Sequence, residues 1–419
     1  MTAEHATSTD DWGVASRVGI RPDGIVDGTE MLSAEHQELA RTVRRFADEA
    51  VAPASYEYDT ARRLPMEIIA EMGRMGLFGL PIPTEYDGQG KDYLSLCVAV
   101  EQLARVDQSI AVTLEAGLGL GAMPLLRFGT EEQRRQWLPA LARGEALAAF
   151  GLTEAQAGSD AGGTQTTAVL EDGEWVINGT KQYITNSGTP ITSIVTVTAV
   201  TGEKVGRDGQ PKPELTTIIV PTDTPGFTVL PAYDKIGWHT SDTHPLVFED
   251  VRVPEANILG ERGRGFANFL SILDEGRVAF AALCVGAAQG CLEQAVARAQ
   301  EREVFGRPIG DNQHIAFMIS RMASRVAAAR AVMHDAARRI DAGMPFMREA
   351  SLAKLIGSEA AVANANDATQ IWGGAGFMNE NVVARHLRDC RILTLGEGST
   401  EVQLAIIARS FGFEKAFGA

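Results

Sequence analysis

The chain of 419 residues has only four cysteines, Cys97, Cys284, Cys291 and Cys390, and none stands in a CxxC pair. Thiols this sparse, in apolar or helical surroundings, exclude a disulfide framework and predict buried free thiols in a reducing compartment. A basic excess is missing as well: 38 Lys and Arg against 54 Asp and Glu give a formal charge of −16. That excludes a nucleic-acid footprint, which needs a basic stripe, but leaves room for an anionic small ligand held by a few local cations. There is no long apolar run. The least polar stretch, Val278 to Leu292, is bounded by Arg277 and Glu293 and interrupted by Gln289. It is too short for a membrane span and reads as a buried helix. Residues 1–28 are polar and acidic, without the apolar segment of a signal peptide. These absences predict a soluble, cytoplasmic protein. Nothing repeats at a fixed period, and nothing is of low complexity.

What is present is an ordinary globular composition, 45% hydrophobic and 22% charged. At roughly 150 residues per domain the length suits two or three domains. After an extension (1–30), helical spacing dominates 31–147: Leu39, Val43 and Phe46 recur on one face, as do Ile68, Met72, Met75 and Leu77. Pro81, Pro83 and Asp87-Gly88-Gln89-Gly90 break this region into separate helices, and Thr130 with Gln133 predicts a capping box. Residues 148–262 change to β character. Ala168-Val169-Leu170 and Trp175-Val176-Ile177 flank an Asp172-Gly173 turn, and β-rich runs follow at Ile191–Val200, Leu215–Val220, Gly226–Leu230 and Leu246–Val253. Antiparallel strands in a barrel or sandwich are expected. From 263 to 419 long helices return, without internal Pro, over Val278–Glu301, Asn312–Ala342 and Met347–Thr369. The reading is an α+β multidomain chain: an N-terminal helical domain, a central antiparallel β-barrel or sandwich, and a C-terminal four-helix bundle.

Two stretches carry chemistry. Glu397-Gly398-Ser399-Thr400-Glu401 sets a lone carboxylate on a Gly turn at the mouth of a helix, with Thr400 and Gln403 spaced as a second capping box. Far upstream, Phe150-Gly151-Leu152-Thr153-Glu154 running to Gly158-Ser159-Asp160 is a loop rich in Gly and hydroxyls, able to approach a planar ligand closely. Tyr183 and Thr185, two apart at the end of a strand, share one face. Arg302, at a helix end, suits a pyrophosphate. Gly373-Gly374-Ala375-Gly376 follows a helix-like stretch and not a strand, so a Rossmann reading fails its own context. His239 and His244 lack a third convergent ligand; they read as solvated or hydrogen-bonded groups and no metal is expected.

In this order the residues resemble the acyl-CoA dehydrogenase family of flavoproteins, over about Leu32 to Phe413. The resemblance implies FAD lined by Phe150, Leu152, Thr153 and Ser159 and flanked by Tyr183 and Thr185. Arg302, Phe305 and Gln313 would reach FAD on a neighbouring subunit, with Gln370, Gly373 and Gly374 completing that cradle and Ser399, Thr400 and Glu401 also facing the cofactor. Ser159, Asp274, Arg277 and Gly398 would face the acyl-CoA. Glu397 would be the base that takes the α-proton while hydride passes to flavin N5, giving the trans-2-enoyl-CoA. Some relatives place the base near Asp274-Glu275-Gly276-Arg277; the corresponding position here is Gly276. Electron-transferring flavoprotein as acceptor and a homotetramer, or at least a dimer sharing FAD sites, are also implied. Three departures stand out: Ala155-Gln156 for the usual Pro-Gly, Tyr183 where Trp is commoner, and Gly396 where Tyr often precedes the Glu. A flavin oxidase or monooxygenase on the same fold is the rival, and a scaffold that has lost FAD a more distant one.

Overall fold

A computed structural model describes residues 28–206 and 209–413. The expected extension therefore lies almost wholly outside the described residues. Ser33 opens α1 (Ala34–Phe46) by accepting from the His36 N–H at 3.2 Å. A π-helical turn at Ala47–Val51 leads to α2 (Ala52–Ala61) and α3 (Met66–Arg74). Next come α4 (Tyr93–Ala104) and α5 (Gln108–Glu115), every residue of which is buried. A second π-helical turn, Ala116–Ala122, precedes α6 (Met123–Phe128), and α7 (Glu131–Ala142) begins in the expected Thr130–Gln133 capping box. At Gly121 an added Cβ would stand 2.5 Å from the Ala148 carbonyl, so only glycine lets this turn lie against the β region.

The β region holds β1 (Leu147–Gly151), β2 (Thr167–Glu171), β3 (Glu174–Thr185), β4 (Thr192–Val205), β5 (Pro211–Pro221), β6 (Phe227–Val229) and β7 (Thr243–Pro254). They form one sheet in the order β1-β4-β2-β3-β7-β6, with β5 on β4. The expected antiparallel pairing holds for β2–β3, β3–β7, β4–β5 and β6–β7, and Asp172-Gly173 turns the hairpin with both φ positive. β1, taken from sequence as part of a loop, is a strand parallel to β4, and β2 meets β4 in parallel at Thr167↔Val200. Parallel neighbours come from distant segments, so no local turn signal announces them.

The C-terminal region is α8 (Gly265–Glu301), a tight hairpin of β8 (Glu303–Val304) and β9 (Arg307–Pro308), then α9 (Gln313–Asp341), α10 (Met347–Trp372), α11 (Val382–Asp389) and α12 (Thr400–Ser410). α8 starts well before the expected Val278. It packs most extensively against α10 and also against α4, so both helical regions share one apolar core, while the strands enclose a second. Among the described residues one helical stretch, Gln108–Phe128 and not Val278–Leu292, is long and apolar enough to cross a bilayer; 89% of its most apolar window is buried inside the fold. All four thiols are free and buried.

Candidate active site

Glu397 sits between α11 and α12 on strained backbone, with φ +51° followed by Gly398 at +87°. A non-glycine residue in the left-handed region persists only where its surroundings hold it there. The holding groups are two buried side chains. Gln403 donates its amide to the Glu397 and Gly398 carbonyls at 3.1 and 2.9 Å, and Lys354, on α10, donates to the Gly398 carbonyl at 2.8 Å. This overturns the expected Thr400–Gln403 capping box. Ser399, one residue earlier, is the N-cap and makes no side-chain cap, and the Gln403 NH2 donates to the two carbonyls.

The Glu397 residue is half-buried, but its Oε2 is out of water and lacks a hydrogen-bond donor. Burial pushes the carboxyl up to about 7, against the lowering pull of Glu115, Lys354 and Arg277. Arg277, itself buried, is bonded to Asp274, whose carboxyl burial raises to about 6. Glu275, the other carboxylate of that turn, points elsewhere and pairs with Arg127 at 3.0 Å. An added Cβ at Gly276 would lie 3.3 Å from Glu397 Oε2 and 3.9 Å from Glu115 Oε1. Glu115, absent from every sequence motif above, thus belongs to this site.

A second group of residues lies on the β region. Phe150 stacks on Phe269 of α8, ring centroids 4.0 Å apart. On β3 a bulge between Lys181 and Ile184 gives Tyr183 a φ of +62°, which breaks the strand alternation; Ile184 is buried, Tyr183 is 62% exposed and Thr185 half-buried. Lys181 anchors the nearby loop: fully buried, it donates to Glu154 Oε1 at 2.7 Å, the Leu152 carbonyl at 3.1 Å and Thr198 at 3.2 Å. Gln156, at one of the departures from the family pattern, donates to Glu154 at 2.6 Å. Thr153 is half-buried and Ser159 exposed on this loop.

The third group is remote. From Phe269 to Arg302 α8 rises about 50 Å at 1.5 Å per residue. Arg302 and Gln313 are exposed there, and Phe305 tips the β8–β9 turn wholly in solvent, with φ positive at both Phe305 and Gly306. Gln370, Gly373 and Gly374 reach the same end, where Trp372 donates to the Gln294 carbonyl at 3.1 Å and Arg298 lies over its ring. Ser399, Thr400 and Glu401 stay with Glu397, at the start of α12. His239 and His244 use both ring nitrogens on neighbours: Lys235 carbonyl and Asp59, and Leu230 carbonyl and Asp242.

Models of the acyl-CoA dehydrogenase N-terminal, middle and C-terminal domains match residues 33–145, 149–251 and 263–412. The chain belongs to the acyl-CoA dehydrogenase family. It is 46% identical over 378 residues to "Probable acyl-CoA dehydrogenase YngJ" of Bacillus subtilis (strain 168), covering 90% of this chain and 98% of that one. The solved butyryl-CoA dehydrogenase of Megasphaera elsdenii superposes with a TM-score of 0.87 at 38% identity, over 91% of this chain and 98% of that one. A glutaryl-CoA dehydrogenase of Mycobacterium smegmatis, solved with FADH2, gives 0.87 at 30% identity, over 94% and 98%. The enzymes of this family use FAD. The residues here suit it: an exposed aromatic face at Tyr183, hydroxyls on Thr153, Ser159 and Thr185, and a loop pinned by a buried ion pair.

Proposed function

We propose that this acyl-CoA dehydrogenase oxidises an acyl-CoA thioester to the trans-2-enoyl-CoA, with Glu397 removing the α-proton. One observation carries the reading: a carboxyl clamped on strained backbone, with a buried, partnerless oxygen and a pKa raised by burial to about 7. A general base works best when its pKa lies near the operating pH. Arg277 and Lys354 lie close enough to favour the ionised form, while the surrounding apolar helices keep water out. Bound FAD supplies the acceptor for the β-hydrogen. Phe150, Leu152, Thr153, Ser159, Tyr183 and Thr185 would hold its ring end; Ser399, Thr400 and Glu401 would face it; Asp274, Arg277, Ser159 and Gly398 would hold the substrate.

Arg302 lies about 50 Å along α8 from Phe269, with Phe305 and Gln313 just beyond it, and Gln370, Gly373 and Gly374 lie near Gln294, about 38 Å along, too far to grip the same FAD within one chain. We therefore assign them to FAD on a neighbouring subunit, in a homotetramer or at least a dimer. Sedimentation as a monomer with full FAD occupancy would contradict this. Electron-transferring flavoprotein as acceptor, a place in fatty-acid β-oxidation, a cytoplasmic location and the division at about residues 30, 147 and 262 complete the reading. A panel of acyl-CoAs, beginning at the butyryl chain that the Megasphaera enzyme is named for, should bleach the flavin anaerobically. In Glu397→Gln, kcat should fall about 10²–10⁴-fold with FAD retained; turnover near the parent's would sink the assignment. Rapid oxygen uptake without an added acceptor would favour the oxidase rival.

A further inference from the structure

Glu115 is a buried ionisable group at this site that the proposed chemistry leaves unused. It ends α5 within an apolar stretch, its residue is 0% exposed, and neither of its carboxyl oxygens meets a donor. A buried carboxylate without a partner is costly enough that such a group takes up a proton or finds a cation. The titratable neighbours are Tyr93 and Cys97 on α4, Asp274, Glu275, Arg277 and Cys284 on α8, Lys354 on α10, and Glu397. Burial drives Tyr93, Cys97 and Cys284 up, so all three stay neutral near pH 7. Asp274 is taken by Arg277, and Glu275 by Arg127. The two cations at the site, Arg277 and Lys354, act on Glu397; Glu115 feels only burial and Glu397 itself.

Two carboxylates facing one spot beside Gly276, with Glu397 Oε2 3.3 Å and Glu115 Oε1 3.9 Å from where a Cβ would be, repel if both are ionised. One proton between them converts that repulsion into a hydrogen bond. We propose that Glu115 is a positioning residue that holds this proton and donates it as an O–H hydrogen bond to Glu397, aiming the base and stabilising its ionised form. The inference rests on Glu397 being the base, and it needs no proton to leave Glu115 during turnover. The asymmetry follows from the surroundings: the cations face Glu397, so the charge resides there and the proton on its partner. The glycine-rich π-helical turn that follows Glu115 runs beside its carboxyl: an added Cβ at Gly119 would lie 3.5 Å from Glu115 Oε1, in ordinary contact.

The test combines infrared spectroscopy with pH–rate profiles on the FAD-loaded protein. At pH 8 the parent should show the carbonyl stretch of a buried protonated carboxyl. That band should vanish in Glu115→Gln and persist in Glu397→Gln. In Glu115→Leu, which removes the donor, the acid limb of kcat/KM should move up by about one pH unit or more; Glu115→Gln, whose amide can still donate, should restore the parent profile. A band that survives in Glu115→Gln, or a Glu115→Leu profile that overlays the parent's, overturns the proposal while leaving Glu397 as base. Should Glu115→Leu fail to fold, the band in Glu115→Gln decides alone. Full turnover in Glu397→Gln would instead remove the base assignment and leave the infrared result standing.

Discussion

Two buried ionisable pairs, Lys181–Glu154 in the β region and Glu115–Glu397 between the helices, are built on opposite terms. In the first every charge is answered. Glu154 accepts from Lys181, Gln156 and the backbone N–H groups of Gln165 and Thr166, the last two at 2.8 and 3.1 Å, and Lys181 has three acceptors. Burial alone would push the Glu154 carboxyl up, but Lys181 and these N–H donors more than offset it and hold it below the usual range. In the second pair like faces like, and both oxygens of Glu115 and one of Glu397 have no donor. A fully satisfied polar network fixes a loop in place; a like-charged pair with no cation between its members shifts the titration of both, as functional sites do. The difference separates scaffold from site more sharply than burial, which the pairs share.

The contrast breaks most readily at Lys181. Lys181→Met strands the buried Glu154 carboxylate and should lose about 3–5 kcal/mol by urea denaturation, the usual result of removing one partner from a buried pair. A double variant, Lys181→Met with Glu154→Leu, should recover a good part of that. If Lys181→Met costs under about 1 kcal/mol, the pair does not anchor the loop.

Glu115→Gln should have the opposite sign at neutral pH. A carboxyl whose pKa is raised on folding binds more protons in the native state than in the unfolded chain, so stability falls as pH rises above about 4.5. Each unit is worth about 1.4 kcal/mol. Between pH 5 and 7 the variant should therefore gain on the parent by up to about 3 kcal/mol. Lys181, lowered by burial to about 8, works in the other direction: the unfolded chain keeps that proton up to 10.5, so on its account stability rises from pH 8 to 10.5. Denaturation curves across pH check both slopes, and parallel curves for Glu115→Gln and the parent would count against a buried shared proton.

How much of this was legible in the residues differs between the two pairs as well. The Glu397 motif was visible because a Glu-Gly at a helix mouth is locally unusual, and the loop from Phe150 because hydroxyls and glycines cluster there. Glu115 was not. In Ile110-Ala111-Val112-Thr113-Leu114-Glu115-Ala116 the apolar periodicity reads only as a core helix. The signal was nevertheless present: a lone carboxylate with no neighbouring cation, in a stretch too apolar to reach water, must be paired or protonated. What it pairs with depends on α8 and Glu397, 282 residues further on, and no local spacing encodes that. The parallel β1–β4 pairing escaped for the same reason. The capping box failed differently: Thr400 and Gln403 have the right spacing, but the helix begins one residue earlier, with Ser399 as N-cap, and the Gln403 NH2 donates to two carbonyls.

What that donation contributes can be measured. Gln403→Leu fills the same buried position without donors, leaving the Gly398 carbonyl to Lys354 and the Glu397 carbonyl without the Gln403 donor, and should lower stability by about 1–3 kcal/mol. With Glu397 no longer clamped, kcat should drop more than KM rises. A variant that loses stability but keeps kcat would show that the clamp serves the fold and not the base.

The smallest effect belongs to the glycines on either side of Glu397, which separate the strained turn from its unstrained approach. Gly398 has φ +87°, and a Cβ there would stand 2.8 Å from Gln403 Nε2, so Gly398→Ala meets both a backbone penalty and the clamp itself. A residue forced into that region loses about 1–3 kcal/mol. Gly396 has no such φ, and its Cβ would find the Ile392 carbonyl at 3.6 Å and the Phe280 ring at 3.7 Å, ordinary contact distances. Gly396→Ala should accordingly leave stability within about 0.5 kcal/mol of the parent, as a surface-like substitution does. The melting temperatures of the two variants, measured side by side, place the edge of the strain: equal losses at both positions would mean that the turn is held as a whole and not at Glu397.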